Sequence, residues 1–368
     1  MIDAQVLRDS FARASRSGSE VTRYFYSHLF LLAPEVRPMF PVVMDAQRDR
    51  LLAALGRIAA QAGEPEKLNP YLQQLGRDHR RFDVVVQHYE AVGQSLLATL
   101  AHFLGEDWTP ELERQWAEAY MAVAQTMVEA AVSDEPHNPP WWQGEVVRHE
   151  LRGADISVVT LRLSQPMRYE PGQSVMVELP LLPSTWRAYT PANAPRSDGT
   201  IDLHVRAVDG GLVSPAVVYG LQMGDVVRLG APMGSRLTLG PSQGRDLVLV
   251  AGGTGLAPMR ALVEQLAASG ARRRVDLFVA SRDTSGLYDL PALHALAPYC
   301  PWLTVRPLVG TDAGTEDDRS LAGPVLREGP WNERAFYICG SPSTTSATVR
   351  DLVRAGIPYE LLHFEEER

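Results

Sequence analysis

The proline-rich segment SDEPHNPPWW, residues 133–142, most constrains this chain, because it separates stretches with different hydrophobic periods. Proline lacks a backbone N–H group and interrupts helices, so helical structure is expected to end here. Before this segment, apolar residues recur every three or four positions, as in SEVTRYFYSHLFLL, which predicts amphipathic helices. After it they alternate, as in TIDLHVRAV, which predicts strands. We therefore expect an all-α domain over residues 1–135 and a linker over residues 136–142.

Two further patterns divide the rest of the chain. Short alternating runs such as SVVTLRL, QSVMVEL and DVVRLGAP, separated by Gly, Pro and Asp, predict a small antiparallel β-barrel over residues 143–242. Over residues 243–368, apolar strands such as DLVLVAGG and RVDLFVASR alternate with helical segments such as APMRALVEQLAAS. That alternation predicts an α/β domain built on a parallel sheet. The predicted fold class is a multidomain chain: all-α, then antiparallel β-barrel, then α/β.

Composition argues against several classes of function. The 368 residues suffice for two or three domains with their own cores. A formal net charge of −9 argues against nucleic acid or an anionic membrane as a partner. The two cysteines, Cys300 and Cys339, lack the spacing of a metal site, which argues against iron–sulfur and zinc centres. The N-terminus does not look like a signal peptide and no apolar run reaches about 18 residues, so we expect a cytoplasmic protein without a membrane span.

Two motifs in the predicted barrel have the chemistry of a flavin site. In RAYTP, an arginine can pair with a phosphate and a tyrosine on the same strand face can lie along a flat ring. In DGGLVSPAV, adjacent glycines let backbone N–H groups approach a pyrophosphate. Each motif alone is typical of a strand edge or a turn, but together they favour flavin binding. The residues concerned are Arg187, Tyr189, Thr190, Gly211, Val213 and Ser214.

Two motifs in the predicted α/β domain suggest a nucleotide site. In VLVAGGTGLAPMRAL a strand runs through Gly252, Gly253, Thr254 and Gly255 into a helix, as a phosphate-binding turn does. Pro258 stands where the GxGxxG fingerprint has its last glycine, so the turn also suits a tight loop of any doubly wound sheet. In FYICGSPS, Cys339 and Gly340 end a strand and could approach a nicotinamide ring. A buried structural cysteine is the alternative.

Residues 145–368 resemble the ferredoxin–NADP-reductase-type module, a flavin barrel followed by a pyridine-nucleotide domain. RAYT matches its flavin motif RxY[ST], GGLVS its pyrophosphate motif, GGTGLAP its nicotinamide-side glycine loop and CGSP its C-terminal nucleotide motif. The resemblance implies FAD and NADH or NADPH as cofactors. It also implies that His204, Val205 and Arg206, which lie between the first two motifs, help to bind a cofactor.

The choice of nucleotide depends on the segment FVASRDTS. Ser281 and Arg282 follow the second predicted strand of the α/β domain, where an arginine can meet the 2′-phosphate of NADP. Similar SR or AR segments occur in NADH-using relatives of the module. The sequence leaves both nucleotides open, and we expect NADH.

Along its whole length the chain resembles the flavohaemoglobins, in which a globin precedes the same module. The proximal segment of that family resembles KHxSF…EHYxxVGxxLL, and this chain reads DHRRF…QHYEAVGQSLL. The resemblance implies that His79 is the haem ligand and that His88 is not. An imidazole at a helix end can point into a flat pocket, and neutral imidazole is the commonest metal ligand among side chains.

The distal side of the pocket follows from the same resemblance. Tyr26 in RYFYSHLF and Gln47 in DAQRDRLL match side chains that donate hydrogen bonds to an oxygen ligand. Phe40 in RPMFP matches the ring that packs on the porphyrin, and Leu51, one turn beyond Gln47, would line the pocket. Taken singly, each aromatic or leucine is more typical of core packing. Their combined register with His79 is what suggests a haem site.

The resemblance implies a nitric oxide dioxygenase with haem b, FAD and NAD(P)H. Electrons would pass from NAD(P)H to FAD and then to the haem, where dioxygen would oxidise nitric oxide to nitrate. Tyr26, Gln47 and Tyr89 are the candidate catalytic residues. We expect small molecules (O2, NO and NAD(P)H) as partners, and a monomer or weak dimer. Two alternatives stay open: a flavin-centred NAD(P)H reductase or dehydrogenase with the haem as an electron exit, and an O2- or NO-binding sensor.

The proximal side departs from the family pattern. Asp78 replaces the lysine before the proximal histidine, and Arg81 replaces the serine two residues after it. Tyr89 matches the family's proximal tyrosine, but its carboxylate partner falls near Ala131, with Glu129 as the nearby acid. Such a partner makes the proximal imidazole more basic and tunes the iron. We therefore expect altered electron donation to the haem.

The C-terminal segment also departs from the family pattern. It reads HFEEER where the family continues E-x-F-G-P, so the aromatic residue that covers the flavin has no direct match. Phe364 is the candidate substitute. We expect easier access to the flavin and weaker control of nucleotide exchange.

Overall fold

A computed structural model describes residues 3–270, 273–296, 298–310, 320–331 and 333–365. The chain forms two compact units. One comprises Met1–Trp141 with Pro183–Thr185, and the other comprises Trp142–Leu182 with Trp186–Arg368. The helical and strand-containing parts that the sequence predicts thus fold as separate bodies.

The first unit is all-α, as its hydrophobic period predicts. Its helices are α1 (Ala4–Ala14), α2 (Ser19–Leu32), α3 (Asp45–Gln61), α4 (Pro65–His79), α5 (Val86–Leu104) and α6 (Pro110–Asp134). Proline at the first position of α4 and α6 suits a helix start, because that position needs no amide donor. The side chain of Thr109 caps α6 by accepting a hydrogen bond from the Leu112 amide at 3.2 Å.

A glycine sets how closely α4 approaches α6. A methyl group at Gly76 would lie 2.1 Å from the Met127 carbonyl oxygen, so only glycine fits there. His79 ends α4 three residues later, and a 3-10 turn over Arg80–Phe82 follows. Close packing of α4 against α6 therefore fixes the position of the histidine predicted to bind haem.

The first part of the second unit is an antiparallel barrel. Its strands are β1 (Trp142–Leu151), β2 (Ile156–Leu163), β3 (Val175–Glu178), β4 (Trp186–Tyr189), β5 (Thr200–Arg206) and β6 (Val226–Leu229). They pair in the order β4-β3-β6-β1-β2-β5, and a bridge between Pro191 and Leu203 joins the edges. Trp142, the last residue of the predicted linker, already belongs to β1.

The rest of the second unit is the predicted α/β domain. Its elements follow the helical turn α7 (Val213–Pro215) of the barrel and comprise β7 (Leu247–Gly252), α8 (Leu256–Ser269), β8 (Val275–Ser281), α9 (Leu290–Leu296), β9 (Leu303–Val309), α10 (Ala322–Arg327), β10 (Ala335–Cys339), α11 (Pro342–Arg354) and β11 (Leu362–His363). The strands are parallel in the order β11-β10-β7-β8-β9. The carboxyl ends of β7, β8 and β10 therefore share one edge, where such sheets bind ligands.

Candidate haem, flavin and nucleotide sites

The distal candidates meet between α2 and α3. Gln47 Nε2 donates a hydrogen bond to Tyr26 Oη at 3.2 Å. Tyr26 is 4% exposed. Burial raises the pKa of Tyr26 to about 12, against the opposing effects of the Gln47 hydrogen bond and the Arg48 and Arg50 charges. The hydroxyl thus keeps its proton at physiological pH and can donate it to a ligand.

Other aromatic rings pack around the ring of Tyr26. Phe40 lies edge-on to Tyr26 and to Phe30, with 5.4 Å between ring centroids in each pair. Arg37 Nη1 donates to the carbonyl oxygens of Phe40 and Pro41, both at 3.2 Å, which holds the segment before α3 in place. Leu51, one turn beyond Gln47, packs against the same core cluster.

The proximal candidate His79 has one ring nitrogen committed to the backbone. Its Nδ1 lies 2.7 Å from the Leu75 carbonyl oxygen. A carbonyl oxygen only accepts, so Nδ1 carries the proton and the lone pair of Nε2 is left to bind a metal. Burial lowers the pKa of His79, which favours the neutral imidazole that metals require. These features fit a haem iron.

His88, the second histidine of the DHRRF…QHY segment, caps a helix. His88 Nδ1 accepts a hydrogen bond from the Val85 amide at 3.3 Å, at the first turn of α5. The imidazole therefore satisfies an amide that the helix start leaves without an intrahelical partner.

The residues that flank His79 form ion pairs. Arg81 Nη1 lies 3.5 Å from Asp78 Oδ1, and both side chains are largely buried. The replacements of the family's lysine and serine thus form a pair of opposite charges. Arg80 pairs with Asp134 and donates to the Asn138 carbonyl oxygen at 2.8 Å, which ties the end of α4 to the end of α6.

Tyr89 packs between α4 and α6. Its ring is partly buried against a cluster that includes Leu72 and Met127. Glu129 instead accepts a hydrogen bond from Gln125 Nε2 at 2.6 Å on the exposed side of α6. Within the described ranges, no carboxylate hydrogen bonds to the Tyr89 hydroxyl. The imidazole of His79 is therefore oriented by a backbone carbonyl.

The RAYT motif occupies β4. Arg187 and Tyr189 pair with alternate residues of β3 and share a face. Tyr189 packs on the barrel core, and burial raises its pKa to about 12. Thr190 Oγ1 lies 2.9 Å from Ser174 Oγ. In the described part of the chain no carboxylate pairs with Arg187, whose Nη1 donates to the Trp186 carbonyl, so its guanidinium fits a phosphate.

The GGLVS motif forms the loop before α7. Gly211 is tightly placed, since a methyl group there would lie 3.0 Å from the Val208 carbonyl oxygen. Ser214 Oγ accepts a hydrogen bond from the Val208 amide at 3.1 Å, and Val213 is buried in the barrel core. The loop is thus held from both sides in a compact turn.

Strand β5 directs its predicted cofactor residues to different places. Val205 faces the barrel core. His204 faces the α/β domain, with Nδ1 2.8 Å from Tyr288 Oη. The Arg206 guanidinium carbon lies 3.9 Å from the position of a methyl group at Gly253, so Arg206 adjoins the nucleotide motif.

The glycine turn after β7 packs on the end of β10. A methyl group at Gly255 would lie 2.3 Å from the Cys339 carbonyl oxygen, and one at Gly252 would lie 3.6 Å from Gly340 Cα. Gly253 has a φ of +55 degrees, in the left-handed region, and Thr254 shares its 3-10 turn. The turn therefore requires glycines for both backbone conformation and close approach.

The remaining nucleotide candidates lie at the same sheet edge. Burial, with a smaller effect of the Glu365 charge, raises the pKa of Cys339 to about 12, so its thiol stays protonated. Ser281 ends β8 and its hydroxyl crowds Gly286, while the Arg282 side chain is exposed. The edge thus combines a glycine turn, a neutral thiol and exposed polar groups.

Two features of this region differ from or extend the sequence analysis. Phe364 is 7% exposed and packs into the core of the α/β sheet, so its ring is committed to that core. Glu365 was not among the predicted residues, yet its Oε1 lies 3.0 Å from the position of a methyl group at Gly234. The run of acidic residues after His363 and Phe364 is the sequence signal for a charge at this position.

Three known families match the chain in succession. They are Globin over residues 23–127, Oxidoreductase FAD-binding domain over residues 143–236 and Oxidoreductase NAD-binding domain over residues 249–350. The protein is therefore a globin joined to a flavin- and nicotinamide-dependent oxidoreductase, and haem, FAD and NAD are the cofactors of these domains.

Comparisons over the whole chain agree with this order of domains. The chain is 29% identical to the flavohemoprotein of Bordetella parapertussis, over 95% of this chain and 93% of that protein. A crystal structure of flavohemoglobin from Malassezia yamatoensis with bound FAD and heme has the same fold, with a TM-score of 0.77, 19% identity and coverage of 99% and 98%. The chain belongs to the flavohaemoglobin family, which confirms the family, fold class and cofactors predicted from its sequence.

The reductase half also has relatives without a globin. It is 30% identical to the ferredoxin–NAD(P)+ reductase component of the naphthalene 1,2-dioxygenase system of Pseudomonas putida, over 60% of this chain and 67% of that protein. No helix in the described part of this chain is long and apolar enough to cross a membrane.

Proposed function

We propose that this flavohaemoglobin is an NAD(P)H-dependent nitric oxide dioxygenase. The observation that carries the proposal is the hydrogen bond from the half-buried Gln47 to the buried Tyr26, in the same helical unit as a neutral histidine, His79, with Nε2 available. When bound, FAD accepts a hydride from NAD(P)H and supplies single electrons to the haem, where dioxygen and nitric oxide combine to give nitrate.

The globin residues bind, orient and donate protons in this proposal. His79 holds the haem through Nε2, and the Leu75 carbonyl fixes its ring orientation. Tyr26 donates its hydroxyl proton toward the distal ligand, while Gln47 keeps the Tyr26 oxygen in place. Phe40 and Leu51 supply apolar walls that exclude water. Tyr89 shapes the proximal side by packing between α4 and α6.

The reductase residues position the flavin and the nucleotide. Arg187 pairs with a flavin phosphate, Tyr189 lies along the flavin ring, and Thr190 donates a hydrogen bond through its hydroxyl. The loop with Gly211, Val213 and Ser214 approaches the pyrophosphate, and His204 and Val205 shape the strand beside it. The nucleotide phosphates bind at the glycine turn and at Arg206; the turn residues are Gly252, Gly253, Thr254 and Gly255. Cys339 and Gly340 lie toward the nicotinamide. Ser281 and Arg282 lie toward the adenosine ribose. NADH as the preferred nucleotide, a cytoplasmic location and a monomeric or weakly dimeric state stay predictions.

A second candidate function has specific support. The reductase half matches a free-standing dioxygenase reductase component, and no carboxylate within the described ranges bonds to Tyr89. Both observations favour a flavin-centred reductase in which the haem is an electron exit. The intact nucleotide turn disfavours a pure sensor, because a binding protein needs no hydride donor.

One experiment separates these functions. The purified protein is examined by absorption spectroscopy, first as isolated, then with NADH in air, then after a pulse of nitric oxide. We expect the haem and flavin bands to change together, and nitrate to form as NADH and nitric oxide disappear. Bleaching of the flavin bands with an unchanged haem spectrum, and no nitrate, would instead establish the reductase.

A further inference from the structure

Asp289 is a buried carboxylate where the barrel meets the α/β domain. It is 1% exposed and directly precedes α9. Its Oδ2 lies 3.1 Å from Nη1 of Arg260 on α8, and its Oδ1 lies 3.9 Å from Nη1 of Arg152, which follows β1 of the barrel. One carboxylate therefore contacts arginines from both domains of this unit.

The neighbouring residue makes a second link between the domains. Tyr288 Oη lies 2.8 Å from His204 Nδ1 on β5, and Arg152 Nη1 donates to the Tyr288 carbonyl oxygen at 3.5 Å. Arg260 Nη1 lies 3.5 Å from His204 Nε2. A guanidinium group only donates, so Nε2 accepts and Nδ1 carries the proton that His204 donates to Tyr288. We call Arg152, His204, Arg260, Tyr288 and Asp289 the interdomain cluster.

Other ion pairs extend the cluster along the same boundary. Arg260 Nε lies 3.5 Å from Glu264, which also pairs with Arg196 at 3.2 Å. Arg196 Nη1 in turn lies 2.9 Å from Asp202 of β5. A buried charge is destabilising unless it is paired. Removal of one partner therefore leaves the other charge buried without a counter-ion. This makes the mutual position of the two domains depend on the cluster.

Each element of the cluster leads directly to a cofactor motif. Helix α8, which carries Arg260, begins after the glycine turn Gly253–Gly255. Asp289 lies in the segment that follows β8, the strand whose last residue is Ser281. Strand β5, which carries His204, leads into the GGLVS loop. A shift at the cluster would therefore move the nucleotide turn relative to the flavin barrel.

We propose that Asp289 is a positioning residue for flavin reduction, because it fixes the nucleotide turn against the flavin barrel through Arg260 and Arg152. NAD(P)H is oxidised by loss of a hydride, which the flavin gains, and this transfer needs the reacting atoms within about 3–3.5 Å. Misplacement by about 1 Å can cost on the order of 100-fold in rate. The proposal rests on the proposed path from NAD(P)H to FAD and is independent of nitric oxide chemistry.

The test is anaerobic stopped-flow reduction of the flavin by NADH in the full-length protein. Arg152→Met removes the arginine that reaches Asp289 from the end of β1, and the position is partly exposed, so the variant is expected to fold. We expect its limiting rate of flavin reduction to fall at least about tenfold, while FAD content and the dissociation constant for NADH stay within about twofold of wild type. Asp289→Asn should have the same effect, and Asp289→Glu should restore part of the rate. The double variant Arg152→Met/Asp289→Asn should be no slower than the slower single variant.

The control is Arg148→Met. Arg148 lies on β1 and shares the Glu150 carboxylate with Arg152, and among the described residues it pairs with no carboxylate of the α/β domain. It should reduce its flavin at the wild-type rate. A limiting rate for Arg152→Met within twofold of wild type would overturn the proposal. So would a loss of rate in Arg152→Met that follows loss of FAD, because the cluster would then only stabilise the barrel. Because the assay reads flavin reduction without oxygen or nitric oxide, failure of the dioxygenase would not affect it.

Discussion

At the scale of single residues, Tyr26 shows how burial sets the chemistry of a side chain. Its hydroxyl accepts a hydrogen bond from Gln47 and keeps its own proton to a pKa of about 12. The Tyr26 proton is therefore available to a distal ligand over the whole physiological range. A ligand with partial negative charge would gain most, because hydrogen bonds to charged acceptors are stronger than neutral ones.

Replacement of Tyr26 by phenylalanine should speed the loss of dioxygen from the globin. A hydrogen bond to a charged group contributes about 1.5–3 kcal/mol, so the dissociation rate should rise about 10- to 100-fold. In the wild type this rate should be constant from pH 6 to pH 10, because the raised pKa keeps Tyr26 protonated below about 12. Stopped-flow displacement of dioxygen measures both effects. Tyr24→Phe on the same helix, where the ring stacks on His102 at 4.3 Å, is the control.

Substitution of the two histidines of the DHRRF…QHY segment should affect the haem content differently. His79→Ala removes the imidazole with a free Nε2 and should abolish haem retention. His88→Ala removes a cap at the start of α5 and should leave the haem content unchanged. The Soret absorbance per chain measures the haem content, and NADH-driven reduction of an artificial acceptor should persist in both variants. Haem content that survives His79→Ala would exclude this residue as the ligand.

Some site residues could be predicted from the sequence and others could not. His79 and Arg187 stand in local motifs whose residue types and order indicate their chemistry. Asp289 and Arg260 stand in no such motif. They meet because α8 and the segment after β8 come together in the folded chain, 29 residues apart in sequence. Contacts of this kind depend on tertiary packing, which hydrophobic periodicity does not encode.

At the scale of elements, the packing of α4 on α6 decides where the proximal histidine lies. Gly76 permits the approach, and Arg80 ties the helix end to Asp134. The apolar period before residue 133 predicts helices throughout this region, and the proline-rich segment predicts where the last of them ends. The sequence did not indicate the closeness of the two helices, because a glycine within a helix can also be a neutral feature.

The substitution Gly76→Ala tests this packing. A methyl group 2.1 Å from the Met127 carbonyl oxygen forces α4 away from α6, at a cost of about 1–3 kcal/mol. We expect a lower thermal midpoint of the haem-containing unit and weaker haem retention, because His79 lies three residues further on. Haem transfer to an apoglobin acceptor and thermal unfolding at the Soret band give the two values.

Gly56→Ala on α3 is the matched control for that experiment. A methyl group at Gly56 would lie 3.4 Å from Phe11 Cε1, an ordinary contact, and alanine favours helix over glycine by about 1 kcal/mol. Its thermal midpoint should equal or exceed that of the wild type. Equal behaviour of the two variants would show that the α4–α6 contact does not govern haem retention.

At the scale of the whole molecule, the chain divides its chemistry between two compact units. One unit carries the haem candidates, and the other carries the flavin and nucleotide candidates in a barrel and an α/β sheet. The change of hydrophobic period at residues 133–142 predicted this division, because helices and sheets need different patterns. The interdomain cluster, in contrast, makes the barrel and the α/β domain depend on each other. Acid should therefore affect this unit through a group buried between them.

His204 is the titratable group buried between the barrel and the α/β domain. Its pKa determines how the stability of this unit should depend on pH. Burial, reinforced by the Arg260 charge, lowers the pKa of His204 from 6.5 to about 3. Tyr288, Arg152 and Asp202 are its other polar or charged neighbours. In the unfolded chain the imidazole takes up a proton below about pH 6.5, whereas in the folded chain it stays neutral down to about pH 3. The contribution of His204 to stability is therefore present above pH 6.5 and is lost as the pH falls toward 3.

From pH 7 to pH 5, the wild type should lose about 2 kcal/mol more unfolding free energy than His204→Gln, which has no titrating imidazole. Urea unfolding followed by the fluorescence of released flavin measures this difference at each pH. His294→Gln changes an exposed imidazole on α9 of the same unit and should keep the pH dependence of the wild type. Parallel stability curves for wild type and His204→Gln would mean that His204 takes up its proton equally in both states, and that the cluster is open to water.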